Sequence, residues 1–268
     1  MIKVMVGYYG WTMERNQTED AFVPILADGA KLMTYLPKAR VHFSLGAFFD
    51  KVSEAEKFST ADHQLVSRVV WQPVLSEENK EVLHLGVMAR AVKPDENVFQ
   101  ARSRPGSYLA PYVIDTGKIP ADRALTTGIE AFWRQGPWMV GTEYNWQTVD
   151  ALNGDRPLFH GGEVVWSWIW TGETRPYNAT GAYFEFVSPE RTVFEGGPGA
   201  WEAIVQVTWN DFDSGVYKGG RFWRITPMIN WYLSENFRLE FNYGYSDLDR
   251  FGVHGRAQYY QARIQMTL

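Results

Sequence analysis

The chain has 268 residues, with 26 basic and 31 acidic side chains and no cysteine. Its composition therefore excludes disulfides and thiolate chemistry, and a formal charge of -5 argues against a nucleic-acid-binding protein, which usually carries a basic surplus. A mean hydropathy of -0.31 and the absence of any apolar run of 18 residues exclude a helical membrane protein, but they permit the half-apolar strands of a membrane barrel.

Aromatic residues make up 16% of the chain, including 12 Trp and 14 Tyr. Such a content suits membrane interfaces or sugar-stacking grooves, and a soluble Trp-rich core is the alternative. Met1 runs directly into the strand-like IKVMVGYY without a secretory signal. An exported chain of this kind is expected to be a processed or recombinant form, or one that lacks its N-terminal part.

Segments of about ten residues in which apolar and polar side chains alternate recur along the chain, and this period of two indicates β-strands. In FRLEFNYGY, for example, Phe237, Leu239 and Phe241 share one face, and Arg238 and Glu240 share the other. The pattern predicts twelve strands, near residues 1–9, 29–36, 40–49, 62–75, 81–93, 122–133, 137–147, 161–171, 199–211, 219–233, 236–247 and 256–268.

Long and short connections alternate between these strands. Tight turns are predicted at PKA, SEENK, RQG and SE, which is the short-turn and long-loop arrangement of outer-membrane barrels. Segment 172–198 breaks the alternation, because it is long, lies on the short-turn side and contains GAYFEFV. We expect it to be an ordered periplasmic excursion, with an extra hairpin strand as the alternative. Long or intermediate loops are predicted at 10–28, 50–61, 94–121, 148–160, 212–218 and 248–255.

Tryptophan occurs at both ends of several predicted strands, for example at Trp138 and Trp146 and at Trp201 and Trp209. Two aromatic girdles about 25 Å apart would produce this placement. The last segment, YYQARIQMTL, alternates to the final residue, as terminal barrel strands do. The sequence therefore predicts an all-β transmembrane antiparallel barrel, with residues 1–268 as one domain. A soluble, aromatic-rich β-sandwich that binds carbohydrate is the alternative.

Five stretches resemble the phosphate-selective porin O and P family of Gram-negative bacteria. They are FQARSRPGSYLAPYVIDTGKI (99–119), TGETRPY (171–177), GAWE (199–202), INWYLSENFRLEFNY (229–243) and the C-terminal YYQARIQMTL, which resembles the last strand of the family. The resemblance implies an outer-membrane pore for small anions such as phosphate, often trimeric, embedded in lipid and without a cofactor. Family members have sixteen strands, so this chain would supply the last twelve or form a smaller barrel of its own.

Charged residues of both signs are predicted on the inward face of the strands. Because the two sets nearly balance, anion selectivity is implied by the resemblance and not by the charge count. Basic and acidic walls that face each other would create a transverse field in a wet pore, whereas pairing across strands would fill a plugged interior. The bases are Lys3, Arg68, Arg90, Arg224, Arg238 and Arg263, and the acids are Glu130, Glu143, Glu163, Glu202 and Glu240.

Two further arginines, Arg102 and Arg104, lie in the predicted loop 94–121, which is long enough to fold back into the pore. Guanidinium groups suit phosphate and carboxylate oxygens, so both residues are candidate anion-binding groups. The alternative is that they anchor the loop to wall carboxylates such as Glu130 or Glu143.

No metal site or catalytic centre is predicted. The five histidines are scattered without the spacing of metal ligands. His84 points inward in the predicted phase, but the sequence places no Ser or Asp beside it. The interpretation is therefore a passive pore.

Overall fold

The computed structural model describes residues 21–22, 28–49, 61–107 and 110–267. Within these ranges, eleven long strands form one antiparallel sheet in which each strand pairs with the next long strand along the chain. The predicted strand at residues 1–9 lies outside the described residues. In chain order the strands are β1 (Asp28–Leu36), β2 (Val41–Phe49), β3 (Ala61–Ser76), β4 (Glu81–Pro94), β5 (Val98–Phe99), β6 (Arg102–Ser103), β7 (Ile114–Asp115), β8 (Ile119–Gln135), β9 (Trp138–Ala151), β10 (Leu158–Ile169), β11 (Tyr177–Asn178), β12 (Tyr183–Phe184), β13 (Ala200–Ser214), β14 (Tyr217–Tyr232), β15 (Phe237–Arg250) and β16 (Val253–Met266).

The five short strands lie away from the main sheet or at its margin. β5 pairs with the start of β8, and β6 with β7 and β11 with β12 form two separate two-stranded sheets. In the described part of the chain, β1 pairs only with β2, and β16 pairs only with β15. No helix among the described residues is long and apolar enough to cross a membrane.

Two predicted loops, 212–218 and 248–255, are wrong. β13 continues to Ser214 and β14 begins at Tyr217, so the connection is a tight turn in which Gly215 has a φ of 57°. The turn between β15 and β16 consists of Phe251 and Gly252, both with positive φ, as two-residue hairpins with a type I′ turn require. The Asp, Ser and Gly residues that suggested loops instead form polar ends of paired strands.

The two faces of the sheet differ as the alternation predicts. Arg238 and Glu240 are 5% and 0% exposed on the inner face, whereas Phe241 is 50% exposed on the outer face. Trp166 and Trp223 are also exposed outward. Because a slip of one residue would invert a whole strand, the predicted register of the side chains is confirmed.

Outward-facing tryptophans form a row at the short-turn end of β9, β10, β13 and β14. Trp138 stacks on Trp168 with ring centroids 4.9 Å apart, and Trp201 stacks on Trp231 at 4.7 Å. Trp209 lies eight residues above Trp201 on β13. At about 3.3 Å per residue and a tilt of about 40°, the two levels are roughly 20 Å apart across the membrane, close to the height of the apolar band of outer-membrane barrels.

Two of the connections that the structure describes fold over the inner face of the sheet. The first, residues 95–118, we call the inner loop, and the second, residues 172–187, the inner hairpin. In the inner loop, Phe99, Ala101 and Ile114 are buried against apolar side chains at the long-loop end of the wall. The inner hairpin contains β11 and β12 and occupies the short-turn half of the inner face. Segment 172–198 was predicted to be an ordered periplasmic excursion, but its residues 172–187 fold back along the inner face, and their two short strands do not join the main sheet.

The contacts of the inner hairpin show that the sheet is strongly curved. Thr180 contacts His42 on β2, and Arg175 contacts Tyr232 on β14. A flat sheet would separate β2 from β14 by seven strand spacings, roughly 34 Å, while five residues of chain span about 17 Å at most. The sheet therefore curls around the hairpin, as expected for an all-β antiparallel barrel.

Candidate functional site: the lined inner face

The inner hairpin is attached to the wall by a buried ion pair. Arg175 donates to Glu202 on β13 at 2.5 Å, and these side chains are 1% and 0% exposed. Burial opposes the charge of the guanidinium, but the adjacent Glu202 carboxylate outweighs it and raises the pKa of Arg175. Tyr232 and Asn230 donate to the same carboxylate at 2.7 and 3.1 Å, and Ser167 donates as well. The carboxylate is thus fully hydrogen-bonded, which makes its burial tolerable.

Polar side chains of four other strands bind the rest of the hairpin, mainly through its backbone carbonyls. Backbone carbonyls that point away from a sheet need such partners, because a buried unpaired oxygen is costly. The hairpin is therefore fixed to the inner face by contacts along its length. The hydrogen bonds are Arg134 to Arg175 O (2.6 Å), Gln72 to Ala179 O (2.8 Å), His42 Nδ1 to Thr180 O (2.7 Å), Arg68 to Ala182 O (3.0 Å) and His84 Nδ1 with Tyr177 Oη (2.8 Å).

The inner loop is held by arginines of β14 and β15. Arg224 donates to the Pro105 carbonyl at 2.5 Å, and Arg250 donates to the carbonyls of Val113 and Asp115 at 3.3 and 3.0 Å. At Gly106, whose φ is 84°, a Cβ atom would lie 1.2 Å from a nitrogen of Arg224. Glycine is therefore required both by the backbone conformation and by the close approach of the guanidinium.

The predicted anion-binding arginines of the inner loop flank one aromatic ring. The guanidinium carbons of Arg102 and Arg104 lie 4.1 and 3.9 Å from the centre of the Tyr112 ring. Arg102 is exposed, and Arg104 is half-buried. Stacking on an aromatic face leaves guanidinium N–H groups directed sideways in their own plane, where they can meet an oxyanion. The structure therefore places two guanidinium groups against one aromatic ring over the inner face.

The suggested anchoring partner Glu130 belongs to a different contact. Its carboxylate is held by Arg68, with Nε at 2.6 Å from one oxygen and Nη2 at 3.0 Å from the other. Arg90, on the neighbouring strand, donates to the side chain of Gln64 at 2.6 Å and to the carbonyl of Phe22 at 3.2 Å. Both arginines lie on the inner face, as predicted.

At the other end of the sheet, two arginines share one carboxylate. Arg263 on β16 and Arg238 on β15 lie 2.5 and 3.3 Å from oxygens of Glu240. Arg238 also donates to Gln265 at 2.8 Å and lies 4.6 Å from the Phe186 ring of the inner hairpin. The seven arginines predicted as pore-lining thus all lie on the inner face or on a segment folded over it. The predicted Lys3 is outside the described residues.

Several residues that build this site were not identified as site residues from the sequence, among them Arg175, Arg250 and Tyr112. Arg175 lies inside the TGETRPY motif, which marked the segment but did not indicate an ion pair with Glu202. Arg250 was assigned to a predicted loop, and Tyr112 carried no pattern of its own. Their roles depend on contacts between distant segments, for which alternation and spacing provide no signal.

Comparison with known proteins agrees with this geometry. Residues 9–268 match the model of the family described as phosphate-selective porin O and P. The chain is also 29% identical over 187 residues to an uncharacterized protein of Caulobacter vibrioides. That alignment covers 68% of this chain and 37% of the relative, so the chain spans little more than a third of that protein. Because the family match includes nearly the whole sequence, the chain belongs to the phosphate-selective porin O and P family.

Proposed function

We propose that the chain forms a single domain in the wall of an outer-membrane porin that passively conducts small hydrophilic solutes, preferentially anions such as phosphate. The observation that carries the proposal is the contrast between the two faces of the sheet. The outer face is apolar and edged by tryptophan, which suits lipid, and the inner face is polar and charged, which suits water and ions. A homotrimer is proposed from the family resemblance.

The contacts on the inner face separate arginines that pair with carboxylates from arginines that could attract an anion. The charge of Arg68 is balanced by Glu130, and Arg238 and Arg263 share Glu240, so these three act largely as wall structure. Arg102 and Arg104 contact the Tyr112 ring on the inner loop. An anion that passes the inner loop would meet these two guanidinium groups, of which Arg102 is exposed.

Conduction also requires that the anion leaves. Two guanidinium groups supported by one ring offer a shallow, solvent-accessible contact, since Arg102 is exposed. Weak binding at such a point lowers the entry barrier without trapping the ion. Arg90, held by two neutral oxygens, adds positive potential further along the inner face. The overall charge of -5 is compatible with this arrangement, because the charges that line the path of an ion act on it more strongly than the net charge of the chain.

The test is the reversal potential of the protein in planar bilayers under a salt gradient. The double variant Arg102→Glu, Arg104→Glu should shift it from anion toward cation preference. The shift should be larger at low salt, because charges are screened over roughly 10 Å at 0.1 M. Arg156→Glu is the matched control, since this exposed arginine pairs with Asp150 at the rim and should leave the potential unchanged. Cation preference of the unmodified protein, or no shift in the double variant, would contradict the proposal.

A further inference from the structure

A cleft of about 390 Å³ opens on the outer face of the sheet at the long-loop end, away from the lined inner face. Its volume lies in the range of about 300–1,000 Å³ that is typical of small-molecule sites. Two tryptophans, Trp209 and Trp223, face each other in register between β13 and β14 and form its floor. Trp223 is 43% exposed, so its ring is available to a ligand.

Above the tryptophans, one row of alternating acidic and basic side chains crosses four strands. Asp211, Arg221, Asp249 and His254 are direct neighbours across β13, β14, β15 and β16, and all face outward. The next row down contains Asp247 beside Trp223. The cleft therefore combines an aromatic floor with a rim of carboxylate, guanidinium and imidazole groups.

Arg221 and His254 of the rim lie close to aspartate carboxylates, but at distances too long for hydrogen bonds. Arg221 Nε is 3.6 Å from an oxygen of Asp211 and 3.7 Å from one of Asp213, and His254 Nδ1 is 3.8 Å from Asp249. These distances exceed those of hydrogen bonds, so donors and acceptors retain capacity for a hydroxyl group placed between them.

The height of the cleft in the membrane identifies its surroundings. Asp211 is ten residues above Trp201 of the short-turn row, which corresponds to roughly 25 Å across the membrane at a tilt of about 40°. The rim thus lies just beyond the apolar band, at the level of lipid headgroups. This step rests on the proposed function, because the longer loops of outer-membrane barrels lie on the extracellular side, where the outer leaflet is.

We infer that this cleft binds the saccharide headgroup of an outer-leaflet glycolipid. Tryptophan faces pack against the C–H faces of sugar rings, and paired carboxylate and guanidinium groups hydrogen-bond to sugar hydroxyls. Three aspartates line the cleft, whereas the guanidinium groups near them are Arg221 and Arg256, which pairs with Asp247 at 3.3 Å. Because carboxylates outnumber guanidinium groups, a neutral sugar fits the site better than a phosphate. The acyl chains would lie along the apolar outer face below.

Binding is measured by native mass spectrometry of the protein in micelles with a lipid that carries an uncharged oligosaccharide. A lipid with a phosphate headgroup and no sugar, and the free oligosaccharide, are compared with it. We expect the glycolipid to be retained in preference to both. Asp211→Asn with Asp249→Asn, and separately Trp223→Leu, should each weaken retention about tenfold, which corresponds to about 1.4 kcal/mol.

Trp138→Leu is the control, because this tryptophan is similarly exposed, at 42%, but lies at the opposite end of the sheet. Its glycolipid binding should equal that of the unmodified protein. Equal binding of all variants, or preferential retention of the phosphate lipid, would overturn the inference. The readout does not depend on conductance, so a failed selectivity test and a failed glycolipid test remain distinguishable.

Discussion

Replacement of Glu202 by glutamine should release the inner hairpin from the wall. The substitution preserves shape and one acceptor oxygen but leaves the Arg175 guanidinium, 1% exposed, without its counter-ion. Removal of one partner of a buried pair costs about 3–5 kcal/mol. The hydrogen bonds from Gln72 and His42 to the hairpin contribute about 1 kcal/mol each. The ion pair is therefore the largest single contribution to attachment of the hairpin.

The assay is hydrogen exchange of two hairpin amides. The N–H of Gly181 donates to Asn178 and that of Glu185 to the Pro176 carbonyl, both within the hairpin. Because an isolated two-stranded hairpin is at best marginally stable in water, these hydrogen bonds should persist only while the hairpin is packed on the wall, so exchange of both amides reports its release. A loss of about 3 kcal/mol should accelerate their exchange at least 100-fold, because each 1.4 kcal/mol is a factor of ten. Exchange that changes less than about threefold would refute the assignment of the ion pair as the main attachment.

Two controls separate charge from packing at the same place. Ser167→Ala removes one neutral donor to the Glu202 carboxylate and should cost only about 1 kcal/mol. The double variant Arg175→Met, Glu202→Leu removes both charges and should recover most of the protection, since well-packed apolar residues often replace buried pairs without loss. If the double variant were as unprotected as Glu202→Gln, the cost would come from lost shape and not from an unpaired charge.

Two further substitutions test the membrane depth of β10 and the fit of the inner loop. Val164 lies at mid-membrane depth and is 42% exposed, so Val164→Arg should destabilise the folded protein in lipid by about 2–4 kcal/mol. Leu158 is 41% exposed but lies at the strand end, so Leu158→Arg should cost about 0–1 kcal/mol. Equal losses of stability in urea unfolding from vesicles would contradict the assigned depth. Gly106→Ala should push the inner loop away from Arg224 and increase tryptic cleavage within the loop. Gly117 has open space around it, so Gly117→Ala should change cleavage less. More cleavage in Gly117→Ala than in Gly106→Ala would refute the close fit at Gly106.

The strands were predictable because their signal is local. Period-two alternation over ten residues, with tryptophan at both ends, already determines which face meets lipid, as for Trp201 and Trp209 on β13. The two turns around Gly215 and Gly252 were predicted as loops because polar strand ends beyond the membrane have the composition of loops. Composition does not reveal that these polar strand ends pair with each other. The structure shows the pairing, for example of Asp213 with Lys218.

The candidate site was less predictable, because it is assembled by contacts between distant segments. Arg175 and Glu202 are 27 residues apart, and Arg224 lies 119 residues from the Pro105 carbonyl it binds. The sequence did predict that Arg224 faces inward, but it could not show that the inner loop covers it. The Tyr112 ring between Arg102 and Arg104 is likewise a product of the loop fold, and no spacing rule predicts it.

The central claim is that alternate residues of each long strand face lipid, and a cysteine scan of β10 tests it most directly. The chain has no native cysteine, so each introduced thiol carries a single spin label. In reconstituted vesicles, labels at Val164 and Trp166 should be accessible to oxygen dissolved in lipid, whereas labels at Val165 and Ser167 should be protected from it. The opposite phase, or accessibility without a period of two, would contradict the account.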